Sequence, residues 1–411
     1  MKCEKRHIEQ WLMSGMLMLL VLLTASCSSS GDDGMTKPKE KPVLKIYLFA
    51  PDSPIITRAS TGDVSAYANE KEIHTIDVWV YEHDVPESRP HLVSYIHLDN
   101  LSFDGQREIA MEINDDFANL PKQPNVDIFV IANKESCGYT NETLNKNTTR
   151  AELREKFISN GSFGITSPQT TVPETGLPMS GLLENQVVGG IPPIYTAKAQ
   201  NVRLVRAVSK VRFVFSKSSS DPPVFKDLTI KLDANVVPKN EYILLEGPYP
   251  TYTCHVETTG ESPYESQATL VNNFNGTIYS CTNPASYAYT SETGQEYEDK
   301  IDAGLVSVED TEHPENNRGP ELTQAGLVYL RESDKKLTGT ISYKLKTGPG
   351  ETESDYTAKE APFEMAAAGD FSRNHTWIVY GYFLGNGQLK LNIVDVKAWD
   401  PDAEDPKVYN W

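Results

Sequence analysis

The chain has 411 residues, a formal net charge of −19 and five cysteines. Its length is enough for two domains with cores of their own, and so acidic a surface argues against nucleic acid, whose backbone would repel it. Five cysteines do not make a disulfide scaffold, and their spacing matches no metal site.

The N-terminus carries Lys2, Lys5 and Arg6, then an apolar run over 12–23, then Ala25-Ser26-Cys27. Basic start, apolar stretch and small residues before a cysteine together read as a bacterial lipoprotein signal, with residues 1–26 removed and Cys27 lipidated. Ser14 and Gly15 interrupt the run, which is shorter than the roughly 20 apolar residues a transmembrane helix needs. Residues 28–42, rich in Ser, Gly, Asp, Lys and Pro, read as a flexible tether.

A strand is predicted over 43–49, with Leu44, Ile46 and Leu48 on one face because side chains alternate along a strand. A polar stretch follows that contains Arg58 and Ala59. Further strands are expected over 73–81, 92–98, 107–113 and 126–132, the last a buried central strand by its composition. Residues 149–157 read as the one clear short helix, with Leu153 and Phe157 spaced i, i+4. Residues 160–200 are Gly- and Pro-rich and read as loop, including Pro178-Met179-Ser180-Gly181.

The second half opens with a strand over 202–215, then a Pro222-Pro223 loop and a strand over 225–232. That pair echoes 43–49 and 73–81 as a weak internal repeat. Residues 285–325 read as an acidic loop, with Tyr287 and Tyr289 as candidate contact residues. Late strands are expected over 339–345, 376–383 and 388–396. Many short strands joined by turn residues predict an all-β chain of two β-sandwiches in series, 59–200 and 201–411.

Catalytic signatures are missing: Gly-x-Ser-x-Gly, His-Glu-x-x-His, a phosphate-binding loop and Cys-x-x-Cys do not occur. His74 and His375 stand at strand starts, and scattered carboxylates are no evidence of a site. The expectation is a non-enzyme without metal or cofactor. With Cys3 in the signal and Cys27 lipidated, Cys254 and Cys281 are left either to pair or, like Cys137, to stand as isolated thiols. Trp79, Trp377 and Trp399 lie in strand patterns, which favours core packing over exposed sugar-binding platforms.

The Cys27 lipobox, the strand 43–49 followed by Thr57-Arg58-Ala59, the Pro178–Gly181 segment, the strand 204–211 and the closing Val396-Lys397-Ala398-Trp399 occur in an order that resembles the fimbrillin superfamily of Bacteroidia, whose members build type V pili. The Asp32-Asp33 pair likewise resembles an acidic tag for export to the outer surface. The resemblance implies two transthyretin-like sandwiches. It implies a lipid-anchored precursor at the outer membrane, cut after Arg58 by an arginine-specific protease, with the mature chain starting at Ala59 in an extracellular fimbrium.

Loss of residues 27–58 takes away Leu44, Ile46 and Leu48 and opens a groove that another subunit's strand can fill. The expected donor lies within 388–411, with Leu389, Leu391 and Ile393, or Val394 and Val396, as its apolar teeth. The partners implied are other fimbrial subunits, membrane lipid before processing, the protease, and a host or bacterial surface receptor. Adhesion and biofilm formation follow as roles, with shaft and tip both open. A glycan-binding surface lipoprotein, or an anchor subunit that keeps its lipid, is the alternative.

Overall fold

The computed structural model describes residues 43–50, 68–85, 91–103, 105–114, 117, 124–158, 163–166, 168–188, 199–247, 253–309, 311–396 and 407–410. In chain order the first half gives β1 (Val43–Phe49), β2 (Ile76–Glu82), β3 (Leu92–Leu98), β4 (Gln106–Glu112), β5 (Val126–Ala132), helix α1 (Arg150–Arg154), β6 (Phe157–Ile158), β7 (Met179–Gln186), β8 (Gln200–Arg203) and β9 (Val205–Arg206). Next come β10 (Ser209–Ser218), β11 (Phe225–Leu232), β12 (Asn240–Tyr242), β13 (Val256–Glu257), β14 (Ala268–Phe274), β15 (Ser280–Cys281) and helix α2 (Gly294–Leu305). The last are β16 (Thr323–Leu330), β17 (Leu337–Lys346), β18 (Tyr356–Ala366), β19 (Thr376–Phe383), β20 (Leu389–Val396) and β21 (Lys407–Asn410). The protein is nearly all β, as its alternating apolar runs predict.

Two sheets enclose the first core. One has the order β4-β1-β8 and the other β3-β2-β5-β7-β9. Leu44, Ile46 and Leu48 of the first sheet meet Ile76, Val78, Val80, Ile128 and Val130 of the second in one apolar cluster. All seven residues of β5 are buried, which accounts for a sequence that is apolar but for Asp127, whose carboxylate pairs with Arg150 at 2.8 Å.

A second core lies between the sheet β15-β10-β19-β20-β21, with β16 also on β10, and the sheet β14-β11-β17-β18. The first of these is covered on its other side as well. There Val214, Ile378, Tyr380, Val394 and Val396 pack with Tyr297 and Ile301 of α2. Ion pairs seat the helix: Arg212 reaches Asp302 at 2.6 Å, and Lys210 lies 3.3 Å from Glu298; Lys210 also lies 3.1 Å from Glu70, in the turn before β2. A small sheet, β13-β12-β6, joins residues from both halves of the chain.

Four expectations need correction. The helix predicted over 149–157 is a single turn, α1, capped by Thr149 and Glu152, and Phe157 begins a strand instead. Pro178-Met179-Ser180-Gly181 is no loop, because Met179 starts β7 and pairs with Ala132. The long strand expected over 202–215 breaks into β8, β9 and β10, each in a different sheet. Residues 285–325 contain α2, started by a Thr293–Glu296 capping box that satisfies its first amides.

Candidate functional site

β1 is an internal strand near the start of the described chain. It pairs antiparallel with β4 over seven residues, Ile46 opposite Ile109 and Leu44 opposite Met111. Along its other edge it runs parallel to β8, with Leu48 opposite Val202. Beyond its end, the Ala50 amide donates to the Gly105 carbonyl and the Leu204 amide donates to the Phe49 carbonyl, both at 2.9 Å. Every residue from Val43 to Phe49 therefore sits in a slot with a strand edge on at least one side.

The slot has two faces. Inward, Leu44, Ile46 and Leu48 are fully buried, and Ile109, Met111 and Val202 of the flanking strands are buried with them. Burying each of the three β1 side chains contributes roughly 1.5–3 kcal/mol, so emptying the slot costs on the order of 5–9 kcal/mol in these side chains alone. Outward, one carboxylate reads two β1 side chains. Glu108 of β4 receives Lys45 Nζ on Oε1 at 2.7 Å and the Tyr47 hydroxyl on Oε2 at 2.8 Å. These bonds hold the Glu108 carboxyl below its ordinary value and push the Lys45 ammonium up. Sequence reading found the apolar teeth of β1 but missed Glu108, because a lone glutamate in an alternating strand gives no signal of what lies across from it.

The predicted donor residues are built into the resident cores. β20 is held by β19 along eight residues and by β21 along four. Leu391 and Ile393 point into the core under β11 and β17, with Leu389 packed beside them, and Val394 and Val396 point toward α2. β21, by contrast, is an edge strand that pairs, among the described strands, with β20 alone. Cys27, Arg58, Ala59 and Trp399 lie outside the described residues.

Other candidates are structural. Cys137, Cys254 and Cys281 are all free thiols, so the Cys254–Cys281 disulfide does not form. Burial pushes the Cys137 thiol up to about 12, which leaves it an unreactive neutral group. Trp79 and Trp377 are fully buried. Tyr287 is buried with its hydroxyl bonded to Glu321, and Tyr289 packs edge-on against Tyr297, so neither stands out on a loop as expected. His375 lies 3.0 Å from Asp395 across the β19–β20 pair. A buried cluster joins Arg373 to Glu332 and Glu241, where burial raises the Glu241 carboxyl, and it is sealed from solvent. Among the described residues, no group of three His, Cys, Asp or Glu is arranged to hold a metal. An open cleft of about 490 Å³ between β18 and the β19–β20 turn is lined by Lys359, Glu360, Asn386, Gln388 and Lys390. Its one aromatic ring, Tyr343, is buried and donates to the Gly387 carbonyl, so it offers no stacking platform.

No protein-family model and no curated protein sequence matches the chain. Solved structures do. A candidate cell-adhesion protein from Parabacteroides distasonis aligns over 89% of this chain and 100% of its own at 13% identity, with a TM-score of 0.48. A fimbrial assembly protein from the same organism aligns over 90% and 99% at 12% identity, with a TM-score of 0.42. The chain is similar in structure to fimbrial proteins of the Bacteroidia. The fimbrial anchor protein Mfa2 from Porphyromonas gingivalis also aligns, over 90% and 98% at 9% identity and a TM-score of 0.36. At these scores the likeness is one of outline, and the functional reading rests on the β1 slot and on the sequence.

Proposed function

We propose that the protein is a structural and adhesive subunit of a cell-surface fimbria, with two transthyretin-like sandwiches meeting near residue 200. It is exported as a lipoprotein on Cys27, cut after Arg58, and assembled by strand replacement. The observation that carries this reading is the position of β1. It is internal to its sheet, its three apolar teeth complete the first core, and Arg58 follows within nine residues of Phe49 in the sequence. One cut there separates β1 from the strands that flank it. The vacated slot then has two unpaired edges and an apolar floor, a surface that favours the capture of an extended segment. Head-to-tail capture does not close on itself, so it builds a filament.

Within 388–411 the donor we favour is 407–410. Releasing β20 would break eight-residue pairing on one side and empty two cores, whereas β21 has one pairing partner among the described strands and four paired residues. The fibre supplies adhesion to a host or bacterial surface receptor and supports biofilm formation.

The test is Arg58→Ala in cells. The variant is expected to remain a lipid-anchored monomer with no fibre, and its surface form to begin at Cys27. Normal fibres from this variant overturn the processing step. A wild-type surface form that also begins at Cys27 favours an anchor subunit.

A further inference from the structure

We infer that Glu108 is a specificity residue that selects the incoming strand, and that the strand it selects is Lys407-Val408-Tyr409 of a second copy of this chain. The inference rests on the strand-replacement reading above, in which 407–410 is the donor, and adds to it the residue that recognises that donor.

Glu108 reads β1 through Lys45 and Tyr47, one on each carboxylate oxygen, while Ile46 between them points into the core. The recognised pattern is therefore lysine, inward β-branched residue, tyrosine. In the whole sequence Lys-x-Tyr occurs twice, at Lys45-Ile46-Tyr47 and at Lys407-Val408-Tyr409. The middle residue is β-branched in both, and an aromatic residue follows two places after the tyrosine in both, Phe49 and Trp411. A strand laid into the slot in the direction of β1 thus puts a cation and a phenol where Glu108 accepts them. It puts Val408 where Ile46 filled the core. Hydrogen bonds to the strand edges are blind to sequence, so the slot needs side-chain readers to prefer one extended segment over another. Glu108 supplies such a reader at the rim. Two positions depart: Pro406, which has no N–H to give a strand edge, takes the place of buried Leu44, and Asn410 takes the place of buried Leu48, a polar group where the slot is apolar. Both mismatches weaken the replacement relative to the original strand, so the match rests on Lys407, Val408 and Tyr409.

The experiment uses the full chain cut after Arg58 and a fluorescein-labelled peptide of residues 403–411, with binding read by polarisation and self-association by sedimentation. The peptide is expected to bind the cut chain and not the uncut one. Lys407→Glu in the peptide, or Glu108→Lys in the chain, weakens binding about three- to ten-fold, the scale of an exposed ion pair turned to repulsion. The two reversals combined restore it. Asn410→Leu tightens it, and Val408→Asp abolishes it. If Val408→Asp abolishes binding while both charge reversals change it less than two-fold, the selection by Glu108 is overturned and strand replacement stands. If the wild-type peptide fails to bind the cut chain and the cut chain stays monomeric, the replacement reading fails with it.

Discussion

Truncating Ile46 to alanine tests the proposed removal of β1. Ile46 is fully buried at the centre of β1, opposite Ile109, with Leu44 and Leu48 on the same face. Removing three methylene-sized groups there leaves a cavity in a core closed on all sides, a change that costs about 2–5 kcal/mol. The chain has more than one core, so a single global unfolding energy is not the right quantity. Hydrogen exchange of peptides covering β1, β4 and β8 reads the local opening directly. At about 1.4 kcal/mol per factor of ten, exchange in the uncut chain should accelerate roughly 30-fold to several thousand-fold. Peptides covering β11 and β17, in the second core, should change little. If β1 is removed as proposed, the fibre should be indifferent. Fibres of Ile46→Ala that dissociate as much more easily as the precursor opens would refute the removal of β1. Acceleration below three-fold in the precursor would refute its place in the core.

Glu265→Ala removes the carboxylate that faces fully buried Arg331 and accepts the Ile165 and Thr166 amides at 3.0 and 2.9 Å. It should ease local opening around Arg331 by about 3–5 kcal/mol, read as faster hydrogen exchange in peptides covering Ile165, Thr166 and Arg331. Three thiols beyond residue 59 should titrate without reductant after unfolding, and Cys137 should resist iodoacetamide at pH 8 in the native chain; a missing thiol would reveal a disulfide. Glu108 provides a pH test. Its carboxyl is depressed by Lys45 and Tyr47 in the docked state, so the docking it supports is complete above the ordinary carboxylate range and is lost as pH falls through the depressed value. Carboxyl NMR should show Glu108 rising toward its ordinary value once β1 is released, and an unchanged titration would mean the pair does not depend on β1.

β1 and β11 were legible because apolar residues alternate along them, and β5 and β19 because they are apolar but for Asp127 in the one and Thr376 and Gly381 in the other. β7 was hidden by its own packing. A Cβ on Gly181 would lie 2.6 Å from Val202 and 2.8 Å from the Arg203 carbonyl, and Ser180 donates to the Ile243 carbonyl at 2.7 Å. Small and polar residues are required there by neighbours that are distant in sequence, so the strand resembles a turn. α2 was masked by acidic composition, although Thr293 and Glu296 announce its start and Tyr297 and Ile301 its buried stripe. β18 is an edge strand with four successive exposed residues and Pro362, features that protect an edge and erase its pattern. Of the candidate site, the teeth of β1 could be read and the slot walls could not, since β4 and β8 come together only through the fold.

The stretch from Gln200 to Ser218 serves three sheets in succession: β8 borders the slot, β9 joins β7, and β10 runs through the middle of the second core. If the slot holds a neighbour's strand as proposed, tension applied there is delivered to the second core along strand backbone, with only Leu204, Ala207 and Val208 between the paired segments. Hydrogen bonds pulled lengthwise resist in shear, many at once, instead of unzipping one by one. A rod whose joints pass load in this way would stretch little under flow.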